Sequence, residues 1–154
     1  MTHGGKISNR EYQARAEFRY QIRRFLRLSE QEARSAGLEP QQHQMLVALK
    51  GLPAGTKPTI GELAGRMLIQ HHSAVELVDR LAQRGMLKRS RSGPDRRLVY
   101  LALTPKGEKV LARVSLRLRG ELHSSGRALV RALQPLLNGG PRSARRSGPR
   151  RQRT

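Results

Sequence analysis

The sequence predicts a mainly α fold (α+β) carrying one short β-hairpin, and three observations predict it. Apolar residues recur at spacings of three and four at both ends of the chain and twice in the middle, the period of amphipathic helices. One stretch breaks that rhythm: residues 92–107, SGPDRRLVYLALTPKG, run from a tight-turn signal through β-rich apolar chain into a fresh helix start. The hydrophobic fraction is 36% and Trp is absent, so the core must be aliphatic and no larger than one domain's.

The first helix spans Asn9 to Ala36. Phe18, Ile22, Phe25 with Leu26, and Ser29 fall on one face, arginines lie opposite, and Gly37 supplies the stop. A second helix runs from about Gln41 to Leu52 behind Pro40, with Met45, Leu46 and Leu49 as its buried stripe. After the loop GLPAGTKP (51–58), Thr59 and Glu62 have the spacing of a reciprocal capping box. They open a short helix with Leu63, Ala64 and Met67 inward. The connection LIQHHS (68–73) leads to a helix ending at Arg84, in which Ala74, Leu77, Val78 and Leu81 face the core and Gly85 terminates the turn.

Two strands follow, about Leu87–Arg91 and Leu98–Leu103, joined by the turn. Thr104 and Pro105 are an N-cap with proline at the first helical position. Beyond them Val110, Val114, Leu118, Leu122, Leu129, Leu133 and Leu137 keep a helical beat to Asn138, and Gly120, Gly126 and Pro135 predict two helices or one bent one.

This is the order of a winged helix-turn-helix, residues 37–103, between long terminal helices at 9–36 and 104–138. Residues 1–8 are expected to be a flexible N-terminus. The terminal stripes are longer than one small domain can cover, so Phe18, Ile22, Val114, Leu118, Leu122, Leu129 and Leu133 are assigned to pairing across a two-fold axis.

Charge points to the partner. The formal net charge is +20, which favours polyanions, nucleic acid first and an anionic membrane face second. Six of the 31 basic residues, all Arg, lie after Asn138, leaving 25 basic against all 11 acidic residues in the rest of the chain. The tail 139–154, GGPRSARRSGPRRQRT, has a composition that cannot bury apolar surface and is expected to be disordered. It reads as a DNA-tracking arm, ahead of a membrane-surface or partner patch or an inert solubilising sequence. Cysteine is absent, excluding disulfides and thiolate metal sites. MTHGGKISNR lacks the apolar core of a signal peptide and no stretch approaches a membrane span, so a cytoplasmic protein without membrane association is expected.

No catalytic constellation is present: no Ser/His/Asp set on a strand–turn–helix elbow, no phosphate-cradling glycine loop, no paired carboxylates at a strand end. The chain therefore reads as a non-enzyme without a cofactor. His71 and His72 are adjacent, and side chains of helix neighbours diverge by about 100°, so the two cannot readily share one metal ion.

Residues 60–111, IGELAGRMLIQHHSAVELVDRLAQRGMLKRSRSGPDRRLVYLALTPKGEKVL, resemble the DNA-binding half of MarR-type transcriptional regulators. The resemblance rests on Glu62-Leu63-Ala64, Leu77-Val78-Asp79-Arg80-Leu81, Gly85-Met86-Leu87, Asp95-Arg96-Arg97 and Leu103-Thr104-Pro105-Lys106-Gly107, in order and at family-like spacing. With the flanking helices it covers about residues 10–138. It implies a homodimer that binds pseudo-palindromic double-stranded DNA, usually as a repressor, and leaves it when a small aromatic or phenolic effector binds.

Within that frame each motif has a physical role. An arginine at a hairpin tip can enter a narrow minor groove, where negative potential concentrates. One of Arg96 and Arg97 is assigned to insertion and the other to bracing the wing or contacting phosphate, with Asp95 fixing an arginine by a charge-assisted pair. Gln70, His71, His72 and Ser73 open the recognition helix, where donors face base edges and phosphates. Arg80 follows on the same helix, and Glu76 is tolerable near phosphate only if it pairs with Arg80 or accepts from a cytosine amino group. Lys57, Lys88, Arg89 and Arg91 are assigned to phosphates. Tyr12, Phe18, Tyr20 and His43 are core or effector-pocket candidates, and no effector residue is named. The alternative function is a general or architectural nucleic-acid binder driven by charge alone, without ligand response.

Overall fold

The computed structural model describes residues 6–138. The expected Arg-rich tail and the first five residues lie outside that range. The order is α1 (Asn9–Ser35), α2 (Pro40–Lys50), α3 (Ile60–Met67), α4 (His71–Gln83), β1 (Leu87–Ser90), β2 (Tyr100–Leu103) and α5 (Pro105–Asn138).

Local chemistry sets most boundaries. Ser8 caps α1 reciprocally with Glu11: the Glu11 N–H donates to Ser8 Oγ at 3.2 Å, and the Ser8 N–H to Glu11 Oε2 at 2.9 Å. Those bonds to Ser8 hold the Glu11 carboxyl below the usual carboxylate range. Of the expected N-terminal segment, Ser8 is the N-cap of α1, and residues 1–5 lie outside the described residues. At α3 only half of the expected box forms. Thr59 Oγ1 accepts from the Glu62 N–H at 3.3 Å, but the Glu62 carboxylate turns forward to Arg66 Nε at 2.7 Å, one helical turn on.

One expectation is corrected and one open alternative is narrowed. The α3–α4 connection shrinks to Leu68–Gln70, because α4 already begins at His71. α5 is one continuous helix of 34 residues. Pro135 falls in the last turn, so it forfeits its own bond to the Arg131 carbonyl near the helix end and leaves the ladder before it intact. Packing along α1, with Arg117 reaching Glu32 at 3.5 Å, carries α5 through Gly120 and Gly126.

β1 and β2 pair antiparallel with Leu87 opposite Leu103 and Ser90 opposite Tyr100. β2 starts at Tyr100 rather than Leu98, since the turn holds Leu98 by its N–H to the Asp95 carbonyl. Its other edge is covered by the segment before α3: the Leu101 N–H donates to Pro58 O at 2.8 Å, and Thr59 bridges Tyr100. Leu38, Met45, Leu46, Leu63, Val78 and Leu81 fill the aliphatic core beneath this hairpin. α5 is seated by its first turn. The Gly107 N–H donates to Thr104 Oγ1 at 3.1 Å, and a Cβ on Gly107 would lie 1.9 Å from Met86 O.

Candidate nucleic-acid interface

The start of α4 is presented outward. Gln70 is the N-cap residue with extended backbone (φ −66°, ψ 150°), and Gln70, His71 and His72 are exposed while Ser73 is half-buried. Ala74, Leu77, Val78 and Leu81 anchor the opposite face in the core. The first turn of α4 carries no acidic residue, so its free N–H groups face solvent beside the exposed donors of Gln70, His71 and His72 without a competing carboxylate.

The hairpin tip sorts the two arginines. Arg97 Nε and Nη2 donate to Asp95 Oδ1 and Oδ2 at 3.1 and 3.0 Å, and the Arg97 backbone N–H reaches Oδ1 at 3.0 Å. This is a bidentate pair closed by a third bond. The Arg97 guanidinium and N–H hold the Asp95 carboxyl below its usual range, and the carboxylate raises the Arg97 pKa in turn. Arg96 is exposed and enters no ion pair among the described residues, so Arg97 is braced and Arg96 is free.

Tyr100 floors the tip. Its hydroxyl accepts from the Asp95 N–H at 3.3 Å, and its ring occupies the space a Gly93 Cβ would need. Lys57, from the loop before α3, lies close enough for its charge also to lower the Asp95 pKa.

Two expected phosphate contacts are placed differently from one another. Arg89 on β1 makes an ion pair with Asp79 on α4, joining hairpin and helix as one unit. Arg91 is exposed without an ion pair among the described residues, as is Arg80. Glu76 and Arg80 form no salt bridge there, so the i,i+4 neutralisation is not made. The junction behind the site is held by Arg84, a role sequence reasoning passed over. Its guanidinium donates to Gln42 Oε1 at 2.9 Å and to the Gly37 carbonyl at 2.6 Å, tying the end of α4 to the α1–α2 corner. Lys106 Nζ caps the Arg84 carbonyl at 2.8 Å.

The residues assigned to subunit pairing divide. Val114 is fully enclosed within the protomer, correcting its assignment to an outer face. Phe18, Ile22, Leu118, Leu129 and Leu133 are half-buried. Leu122 is 51% exposed, and Val130 joins it at 61%, a residue the sequence beat of leucines bypassed. Of the effector candidates, Tyr12 and Tyr20 are exposed, Phe18 is half-buried, and His43 is buried with Nε2 unpartnered. No helix of the described residues is long and apolar enough to cross a membrane.

Residues 36–98 match a model of the MarR family. The uncharacterized HTH-type transcriptional regulator YsmB of Bacillus subtilis (strain 168) is 36% identical over 56 residues, 36% of this chain. That match spans 38% of the relative's own length. Wild-type MarR from E. coli, in its apo form, shares the fold with a TM-score of 0.64 at 18% identity, over 88% of this chain and 98% of that one. The transcriptional repressor CouR, solved bound to a 23-mer DNA duplex, is similar at 28% identity and a TM-score of 0.59, over 86% and 91% of the two chains.

Proposed function

We propose that this chain, a member of the MarR family through its winged-helix segment, is a DNA-binding transcriptional regulator that represses as a homodimer at a pseudo-palindromic duplex. In this reading the exposed start of α4 enters the major groove and reads base edges with Gln70, His71, His72 and Ser73. Arg96 enters the adjacent minor groove, and Arg97, held by Asp95, sets the direction of the tip. Arg80, Arg89 and Arg91 meet phosphates, with Arg89 exchanging part of its bond to Asp79 for the backbone. Two such units, carried by α1 and α5 of paired subunits, must stand about 34–36 Å apart to meet successive major grooves.

The observation that carries this reading is the sorting of the wing arginines, one chelated and one free, beside an outward helix start. Release by a small aromatic or phenolic ligand follows from the family likeness. A ligand lodged where the terminal helices meet the winged helix would change the half-site spacing and weaken both contacts together. Action in the cytoplasm, on the chromosome, belongs to the same proposal.

The test is a fluorescence titration of the full chain. A duplex selected from a random library competes with unrelated duplex at ~0.15–0.2 M salt, where the purely electrostatic component is largely stripped. The selected duplex should be preferred by at least about 1,000-fold. Equal binding of all duplexes would make the protein a general nucleic-acid binder, driven by its net charge of +20.

A further inference from the structure

Three helices of this chain end in the same way. After α1, the Leu38 N–H bonds back to the Ala33 carbonyl at 2.9 Å around Gly37, whose φ is +79°. After α4, the Met86 N–H bonds back to Leu81 O at 2.9 Å around Gly85, at φ +68°. After α3, the Ile69 N–H bonds back to Ala64 O at 3.1 Å, but the left-handed residue is Leu68, at φ +55° and ψ +41°. Each motif buries the residue that follows: Leu38 and Met86 fully, Ile69 in part against the core. The first two use glycine, which enters the left-handed region without steric cost. The third uses a γ-branched side chain that pays for that conformation in strain.

The turn is offset by the Ile69 bond and contact, but the Leu68 side chain itself packs on little within the protomer. Leu68 is 92% exposed, the most exposed of the large apolar side chains described. It stands two residues before the N-cap of α4, between exposed Arg66 and exposed Gln70. A solvent-facing leucine at the turn into the helix proposed to enter the major groove can carry an apolar surface toward the groove floor. The only strongly apolar group there is the thymine 5-methyl.

We propose that Leu68 is a specificity-determining residue that packs on a thymine methyl at the outer edge of each half-site. The inference rests on the DNA-binding reading above. It extends that reading from donors, which read amides and carbonyls, to a hydrophobic contact made by the turn itself.

The experiment uses the full chain and a duplex it has selected from a random library. Each thymine is replaced in turn by 2′-deoxyuridine, which removes the methyl and keeps every hydrogen-bonding atom. Failure to select any duplex would count against the proposed function, and the present inference would fall with it. Given selection, wild-type protein should lose about fourfold in affinity per half-site at one symmetry-related pair of thymines, the value of one buried methyl-sized group. Leu68→Ala and Leu68→Gly should bind less tightly and show no loss at that pair, while responding as wild type does to changes at other bases.

Leu68→Gly should also raise the thermal midpoint of the free protein by about 3 °C, by relieving the left-handed strain. That separates a contact with DNA from damage to the fold. A deoxyuridine profile identical in wild type and variants, or wild-type indifference to every thymine, overturns the proposal. So does a Leu68→Ala variant whose sedimentation shifts to another oligomeric state, which would assign the leucine to a subunit surface.

Discussion

Arg96 and Arg97 are chemically identical, yet Asp95 makes them different instruments. The carboxylate spends both oxygens on Arg97 and leaves Arg96 unpaired at the tip. Exposed ion pairs contribute little to stability, on the order of 0–1 kcal/mol, so the value of this one lies in direction rather than in folding. Replacing Arg96 and Arg97 together by Ala should lower affinity for a selected duplex by about 10–100-fold, equivalent to ~1–3 kcal/mol. Circular dichroism and the thermal midpoint should stay unchanged; undiminished binding by this variant would remove the wing from the mechanism. A second prediction concerns His43. Burial holds its pKa below the ordinary histidine value of 6.5. The unfolded chain therefore takes up a proton in the ordinary histidine range that the folded chain refuses. This contribution to stability is complete above that range and is lost as pH falls through it. Thermal melts of His43→Leu between pH 7.5 and 5.5 should show a shallower decline than wild type, and an equal decline would place the pH sensitivity elsewhere.

At the scale of elements, the junction between hairpin and α5 is where a single methyl decides most. The Gly107 backbone rests on the Met86 carbonyl, and a Cβ there would overlap backbone, which cannot swing aside as a side chain can. Gly107→Ala is expected to destabilise by about 2–3 kcal/mol and to lower the thermal midpoint by ~5–10 °C. Gly120→Ala on the same helix is the control. Its Cβ would meet open space, and removing a mid-helix glycine should stabilise by about 1 kcal/mol. Equal effects in differential scanning calorimetry would show that α5 propensity, not the seat on Met86, governs the junction. The pair Asp79–Arg89 links α4 to the hairpin one element earlier.

For the whole molecule, α1 and α5 lie along one another yet leave Leu122 and Val130 on the outside of a long helix. Burying them against a second copy is the proposed answer, and it brings two recognition helices under one geometry. Leu122→Glu with Val130→Glu should give a monomer by sedimentation that keeps its helical content. It should bind the selected duplex at least about 100-fold more weakly, because half of the base contacts are gone. A monomer that binds as tightly as wild type would count against the two-fold arrangement.

What the sequence determined by itself is everything carried by neighbours along the chain. The helical periods, the Thr104–Pro105 start, Gly37 and Gly85 as stops, the hairpin and the stripe Ala74, Leu77, Val78 and Leu81 are all local patterns, and each survives in the fold, although the tip closes at Asp95–Leu98 rather than on the Ser92–Pro94 turn signal. Even the Ser8–Glu11 box was there to be read in its spacing. Tertiary structure alone decided which arginine Asp95 would hold, that Arg89 would meet Asp79, and that Arg84 would reach Gln42 and Gly37. It also decided that Val114 lies inside the protomer while Leu122 and Val130 lie outside. Such pairings depend on distances set only after helices cross and the hairpin closes. Side chains of the same type are indistinguishable in one dimension and become distinct when packing chooses their neighbours.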